Sequence, residues 1–188
     1  MKIMSLREKL IEIIYKVATG NRKIRNFLTP VAAIFFLSFI GLLIVAFLQL
    51  DKFLDFPKLF PSSLSIVLSV PILTIGLFLI LWSILHFGKA KGTPVPFNPP
   101  PKLVTTGPYA YIRNPIHTGM FILFFGLGIL FRSISLVFIF TPLVVLLTVL
   151  GLRAIEEPEL EKRLGKEYLE YKKRVPMFIP RLKVRTKK

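Results

Sequence analysis

Apolar runs alternate with polar stretches along the chain in a pattern set by bilayer thickness. Leu28 to Leu50 and Leu64 to Phe87 contain no Asp, Glu, Lys or Arg, and each is long enough to cross a hydrocarbon core of about 30 Å as a helix. Ile116 to Phe131 is shorter. Arg132 and Ser133 then interrupt the apolar pattern before Ile134 to Leu152 resumes it, which predicts a tight helical hairpin turning near Arg132. As one helix the two runs would be too long for any bilayer. The reading is an all-α membrane protein of about four transmembrane helices, forming one embedded domain over 1–188.

Outside these runs the period changes. Ile3, Leu6, Leu10, Ile13, Ile14 and Val17 recur at helical spacing among charges, so residues 1–27 read as an amphipathic helix on the membrane surface, an anchor rather than a catalytic element. Residues 28–87 hold the first two spans. Within 88–180, the stretch Gly92-Thr-Pro-Val-Pro-Phe-Asn-Pro-Pro-Pro excludes helix, because each proline removes a donor and pushes its predecessor to extended geometry. The hairpin 116–152 follows. Leu160, Leu164, Tyr168, Tyr171 and Val175 then fall every three or four residues, predicting a second amphipathic helix with Gly165 as a break. Residues 172–188 carry eight basic residues and no acid, and the tail 181–188 reads as part of a lipid-surface tether.

Charge places these elements relative to the membrane. The formal net charge is +16 and 53% of the 188 residues are hydrophobic. In so apolar a chain the excess of basic residues points to anionic membrane lipids, not to nucleic acid. Lys and Arg number 23 on the two termini and the 89–115 connection, against 3 on the opposite loops. The positive-inside rule then predicts a multi-pass protein with both termini cytoplasmic. The first apolar run is too long for a signal peptide and no small-residue cleavage pattern follows it.

Composition also narrows the chemistry. Cysteine is absent, which excludes disulfides, thiolate nucleophiles and cysteine metal sites. Only His86 and His117 remain as histidines, so no metal centre is expected. His86 reads as an interfacial residue, and Gly126 and Gly128 as helix-packing residues. No phosphate-loop, dinucleotide-binding or nucleophile-elbow motif occurs.

The hairpin brings separated charges together. Arg113 lies about 19 residues before the turn and Glu156 about 24 after it, roughly 30 and 35 Å along the two helices. They return to one membrane face. His117 stands one turn inside Arg113, and Arg153 one turn inside Glu156 and Glu157, spaced to orient these carboxylates or to face an anionic acceptor. Snorkelling arginines and a glutamate helix cap would be the bland explanation. Two adjacent carboxylates beside an irregular proline and glycine loop favour a cavity instead.

Arg113-Asn-Pro-Ile-His117, an apolar stretch and Glu156-Glu157 together resemble the Arg-His-Pro-x-Tyr … Glu-Glu pattern of the integral-membrane methyltransferases related to isoprenylcysteine carboxyl methyltransferase and phospholipid N-methyltransferase. The motif's tyrosine is His117 here. The likeness extends through Gly92-Thr-Pro, Pro96-Phe-Asn-Pro-Pro, Thr106-Gly-Pro-Tyr-Ala-Tyr111, Leu164-Gly-Lys-Glu-Tyr-Leu-Glu-Tyr171 and Val175-Pro. It covers residues 92–180. It implies a pocket for S-adenosyl-L-methionine, closed by a cytoplasmic C-terminal helix, with a lateral path for a lipid-like substrate. Cofactor contacts are implied for Gly107, Pro108, Tyr109, Tyr111, Arg113, Asn114, Pro115, His117, Gly119, Glu156 and Glu157, with Tyr109 and Tyr111 beside the adenine. Catalytic roles fall to Arg153 and Glu157. The acceptor is a carboxylate, as on an isoprenylcysteine-like molecule, or an amine headgroup whose proton goes to His117 or a glutamate. An NADPH-dependent sterol or polyprenyl reductase and a non-catalytic scaffold are the competing readings.

Overall fold

The computed structural model describes residues 5–93 and 98–180. Ile3, residues 94–97 of the proline-rich stretch and the basic tail 181–188 lie outside the described residues, and so do the expectations placed on them. Every regular element among the described residues is helical.

Helix α1 (Leu6–Thr19) starts at a capping box, in which Ser5 Oγ accepts from Glu8 N and the Glu8 carboxylate accepts from Ser5 N. It ends at Gly20, and Asn21 caps α2 (Arg22–Phe53) by accepting from Lys23 N at 2.9 Å. The single surface helix expected over 1–27 is therefore split. Residues 22–27 open α2, because a glycine and a capping asparagine place the break there.

Helix α3 spans Ser62–Lys89 and α4 spans Pro115–Leu130. Pro115 fits the first turn of α4, where its missing N–H has no intrahelical role. Helix α5 (Leu136–Leu164) is continuous and contains two π-helical turns, Leu136–Phe140 and Leu152–Glu156. Gly165, with φ of +58°, separates it from α6 (Lys166–Arg174). The first half of the expected C-terminal helix is thus a continuation of α5, and the break falls at the glycine. Helices α2, α3 and α5 are long and apolar enough to cross a membrane, and α4 is a shorter apolar helix.

Small residues decide how α3 meets α4. Ser65, Ser69, Gly76 and Ser83 are buried along α3, and a Cβ on Gly119 of α4 would lie 2.8 Å from the Gly76 carbonyl oxygen. The backbones touch there, the means by which apolar helices gain contact without a hydrophobic drive. Gly126 packs on Leu73 and Gly128 on Val137. The α4–α5 turn is centred on Arg132, with φ of +60° and Nε donating to the Phe60 carbonyl at 2.7 Å.

Helix α2 joins this hairpin at its far end. Phe124, Leu136 and Phe140 form a core against Ile40, Leu43, Ile44, Phe47 and Leu48. Beside it the buried Asp51 accepts from both the backbone N and the hydroxyl of Ser135, so a carboxylate on α2 caps the start of α5. Replacing Asp51 with Ala should cost about 1–3 kcal/mol by orphaning the Ser135 N–H and hydroxyl. Equilibrium unfolding in detergent should show that loss, while Ala at the adjacent exposed Lys52 should leave stability unchanged.

Candidate functional site

Three segments with no regular structure in common meet where α3, α4 and α5 end on one side. The 98–114 connection arrives from α3, the last turns of α5 rise beside it, and α6 with residues 175–178 folds back over both. Backbone bonds fasten this return: Arg113 N donates to the Pro176 carbonyl at 2.8 Å and Asn114 N to the Met177 carbonyl at 3.2 Å. Tyr171 Oη donates to the Tyr109 carbonyl at 2.7 Å. Phe178 packs on Phe121.

They border a cavity of about 310 Å³, lined by Phe87, Thr93, Pro99, Pro100, Lys102, Leu103, Val104, Tyr109, Arg113, Asn114, Gly151, Ile155, Glu156, Glu159, Leu160, Arg163, Leu164, Tyr168 and Tyr171, with Ile14 of α1. This is near the lower end of the range for small-molecule sites, about 300–1,000 Å³. Burial pushes the phenols of Tyr109, Tyr168 and Tyr171 up from their ordinary value, so all three remain neutral donors.

The two adjacent carboxylates have different surroundings. Consecutive helical residues point about 100° apart. Glu157 turns into the protein, with Oε1 2.9 Å from Arg113 Nη2 and Oε2 2.6 Å from Lys172 Nζ. The Arg113 contact is a charge contact off the hydrogen-bond line. Lys172 also reaches Glu161 at 2.9 Å. Its hydrogen bonds to Glu157 and then to Glu161 raise its pKa above 10.5. That latch is fully present below the ordinary lysine value and is lost only as pH rises through the elevated one. Glu156 lines the cavity and, among the described residues, makes no ion pair or side-chain hydrogen bond. Glu159, also on the wall, is paired with Arg163 at 2.8 Å.

Arg113 completes the picture. Its side chain is nearly buried, one nitrogen faces Glu157, and Nε and Nη1 have no hydrogen-bond partner. A guanidinium with two unfilled donors on a cavity wall suits a carboxylate. The unpaired Glu156 suits an ammonium.

The expected site residues thus divide. Tyr109, Arg113, Asn114 and Glu156 line the cavity. Glu157 is committed to Arg113 and Lys172, and so supports the wall without lining it. Gly107 adopts φ of +60° and leaves room for His86, whose ring would meet a Cβ at 2.3 Å. Pro108 and Pro115 are fully buried around it. Gly119 belongs to the α3 crossing, where backbone contact requires it. Tyr111 is half exposed and away from the cavity, because the turn Gly107–Ala110 directs Tyr109 inward instead. His117 does not line the cavity. Arg153 is exposed and forms no ion pair among the described residues, since Arg113 and Lys172 already occupy Glu157. Sequence reasoning missed Ile14, Glu159, Arg163 and Lys172, of which only Glu159 and Arg163 left a trace, their i to i+4 spacing.

A family model described as phospholipid methyltransferase matches residues 64–167, from the start of α3 to the beginning of α6. The nickel-cobalt-cadmium resistance protein NccN of Alcaligenes xylosoxydans xylosoxydans is 34% identical over 116 residues, 62% of this chain and 48% of that protein. Methanethiol S-methyltransferase 1 of Bradyrhizobium diazoefficiens is 31% identical over 87 residues, 43% of this chain and 27% of that protein. The chain therefore spans less than half the length of each of these relatives. No solved structure matches.

Glu157→Ala strands the Arg113 guanidinium and should cost about 3–5 kcal/mol, the usual effect of breaking a buried pair. Adding Arg113→Met should restore part of that loss in equilibrium unfolding, because no uncompensated charge then remains.

Proposed function

The chain belongs to the phospholipid methyltransferase family, and from that premise we propose that this membrane methyltransferase takes its methyl group from S-adenosyl-L-methionine and delivers it to a lipid-type acceptor at the cytoplasmic interface. Family membership selects methyl transfer over the reductase and scaffold readings. The observation that carries the donor assignment is the pairing, on one cavity wall, of a guanidinium with two unfilled donors and a carboxylate with no partner.

An amino-acid head group fits this pair. Arg113 would hold its carboxylate and Glu156 its ammonium, while Phe87 and Tyr109 supply aromatic surface. When bound, the cofactor supplies a methyl group made electrophilic by its sulfonium. Glu157 and Lys172 keep the guanidinium in place, and α6 shields the cavity from water, which strengthens every charge contact inside it. A carboxylate acceptor needs no base, in keeping with His117 lying off the cavity. An amine acceptor would have to lose its proton to a group other than Glu156, which the cofactor's ammonium engages.

A lipid tail has a route in this reading. Leu143 and Leu147 are exposed on α5, and Gly151, one turn further, lines the cavity with no atom within 4 Å of a Cβ built there. Basic residues concentrated on the termini and on the 89–115 connection support a cytoplasmic placement of both ends and of the cavity. A thiol acceptor is the second reading, favoured by the name of the Bradyrhizobium relative.

Glu156→Gln should weaken binding of labelled S-adenosyl-L-methionine by about 1.5–3 kcal/mol without unfolding the protein. Equal affinity of wild type and variant would overturn the donor assignment.

With one acceptor head group and tails of increasing length, each buried methylene should add up to about 0.8 kcal/mol to apparent affinity. Methyl-transfer rates would measure this. Equal turnover of a tail-free thiol would select the second reading.

A further inference from the structure

Helix α1 has two working faces. Its inner face is tied to α5: Arg7 Nε donates to the Ala154 carbonyl at 2.7 Å, Lys162 pairs with Glu12, and the Lys162 ammonium lies 4.3 Å from the centre of the Tyr15 ring. The Ala154 carbonyl is available because Pro158, four residues on, has no N–H to offer it. From the same helix Ile14 reaches the cavity and forms part of its wall.

The outer face is apolar and uncovered. Leu6, Leu10 and Ile13 are 75%, 38% and 55% exposed, and with Val17 they recur at three- and four-residue intervals, one row on a helix. Lys9 and Lys16 border that row and are exposed. Three residues after α1 begins α2, a helix of membrane-crossing length whose first residues, Arg22 and Lys23, are also basic and exposed. Continuity with α2 places α1 at the membrane boundary, and an apolar row bordered by lysines fits the headgroup layer of an anionic leaflet. The lysine stems extend along the apolar surface while their ammonium groups meet lipid phosphates.

We infer that α1 is a lipid-operated wall of the cavity: an anionic leaflet binds its outer row and, by fixing the helix, holds Ile14 in place and tightens the site. The helix is then more than an anchor. Its lipid row and Ile14 lie on neighbouring strips of one rigid rod, about 70° apart around the helix axis, so fixing the row against lipid stabilises the placement of Ile14. The coupling to donor affinity rests on the reading of the cavity as a methyl-donor site; the movement of the wall does not.

The test uses the full chain in nanodiscs of phosphatidylcholine alone or with phosphatidylglycerol. The sequence has no cysteine, so single thiols can be introduced directly. A spin label at Ile13→Cys should move into the bilayer in the anionic discs. Ile14→Cys should react several-fold more slowly with a water-soluble maleimide in those discs than in neutral ones. Leu6→Ser combined with Leu10→Ser should abolish both responses, and high salt should reduce them. Wild type should bind S-adenosyl-L-methionine several-fold tighter in anionic discs, and the double serine variant should lose only that increment.

A label at 13 that stays aqueous in both lipids, or an Ile14→Cys rate indifferent to lipid, overturns the proposal. So does burial of the outer row by a second copy, read as a doubled protein mass per disc. Donor binding that is tight but identical in both lipids overturns the coupling. Lipid-dependent label responses with no donor binding in any disc would uphold the moving wall and reject the methyl-donor reading.

Discussion

A guanidinium and a carboxylate buried in a protein cannot stay apart without a large desolvation penalty, and Arg113 and Glu157 come from opposite arms of the α4–α5 hairpin. Their meeting sets the height at which the two arms end. Lys172 joins the same carboxylate from α6, so the C-terminal return is drawn onto the hairpin by the charge that aligns the arms. The cavity lies where these three segments close. Because Glu157 meets a cation at each oxygen, Arg113 is steered without being saturated, and two of its nitrogens keep no hydrogen-bond partner.

The other end of the bundle follows a different logic. There α2 contributes Asp51 to cap α5, and a small apolar core holds the helices together. Between the two ends, α3 and α4 touch through backbone at Gly76 and Gly119. The arrangement is a rigid pair of helices with polar fastenings at either end, and the site sits on the end whose connections are irregular.

Much of this was legible in the sequence because apolar run lengths and bilayer thickness are simple arithmetic. The hairpin, its turn at Arg132 and the meeting of Arg113 with the glutamates follow from counting residues at 1.5 Å each. Asp51 was not legible, since its partner Ser135 is 84 positions away and a lone acid near a span end carries no signal of its own. Gly119 followed the motif arginine closely enough to pass for a site residue, and only the crossing with α3 reveals its packing role. Lys172 looked like one of many basic residues in a lipid-surface tether. Its function depends on the reversal at Gly165, and no local pattern announces where that reversal points.

The π-helical turn at Leu152–Glu156 holds one more residue than an α-helical turn would. In genetic terms it is equivalent to a single inserted codon, and such turns arise inside helices without breaking them. A helix lacking that residue would keep the same adjacent acids, yet everything after the turn would be rotated by about 100°. The acid now paired with arginine and the acid now facing the cavity would both have looked elsewhere. The division of labour between two identical neighbouring side chains is therefore a matter of reading frame along the helix, set by one extra residue in the turn that ends at Glu156.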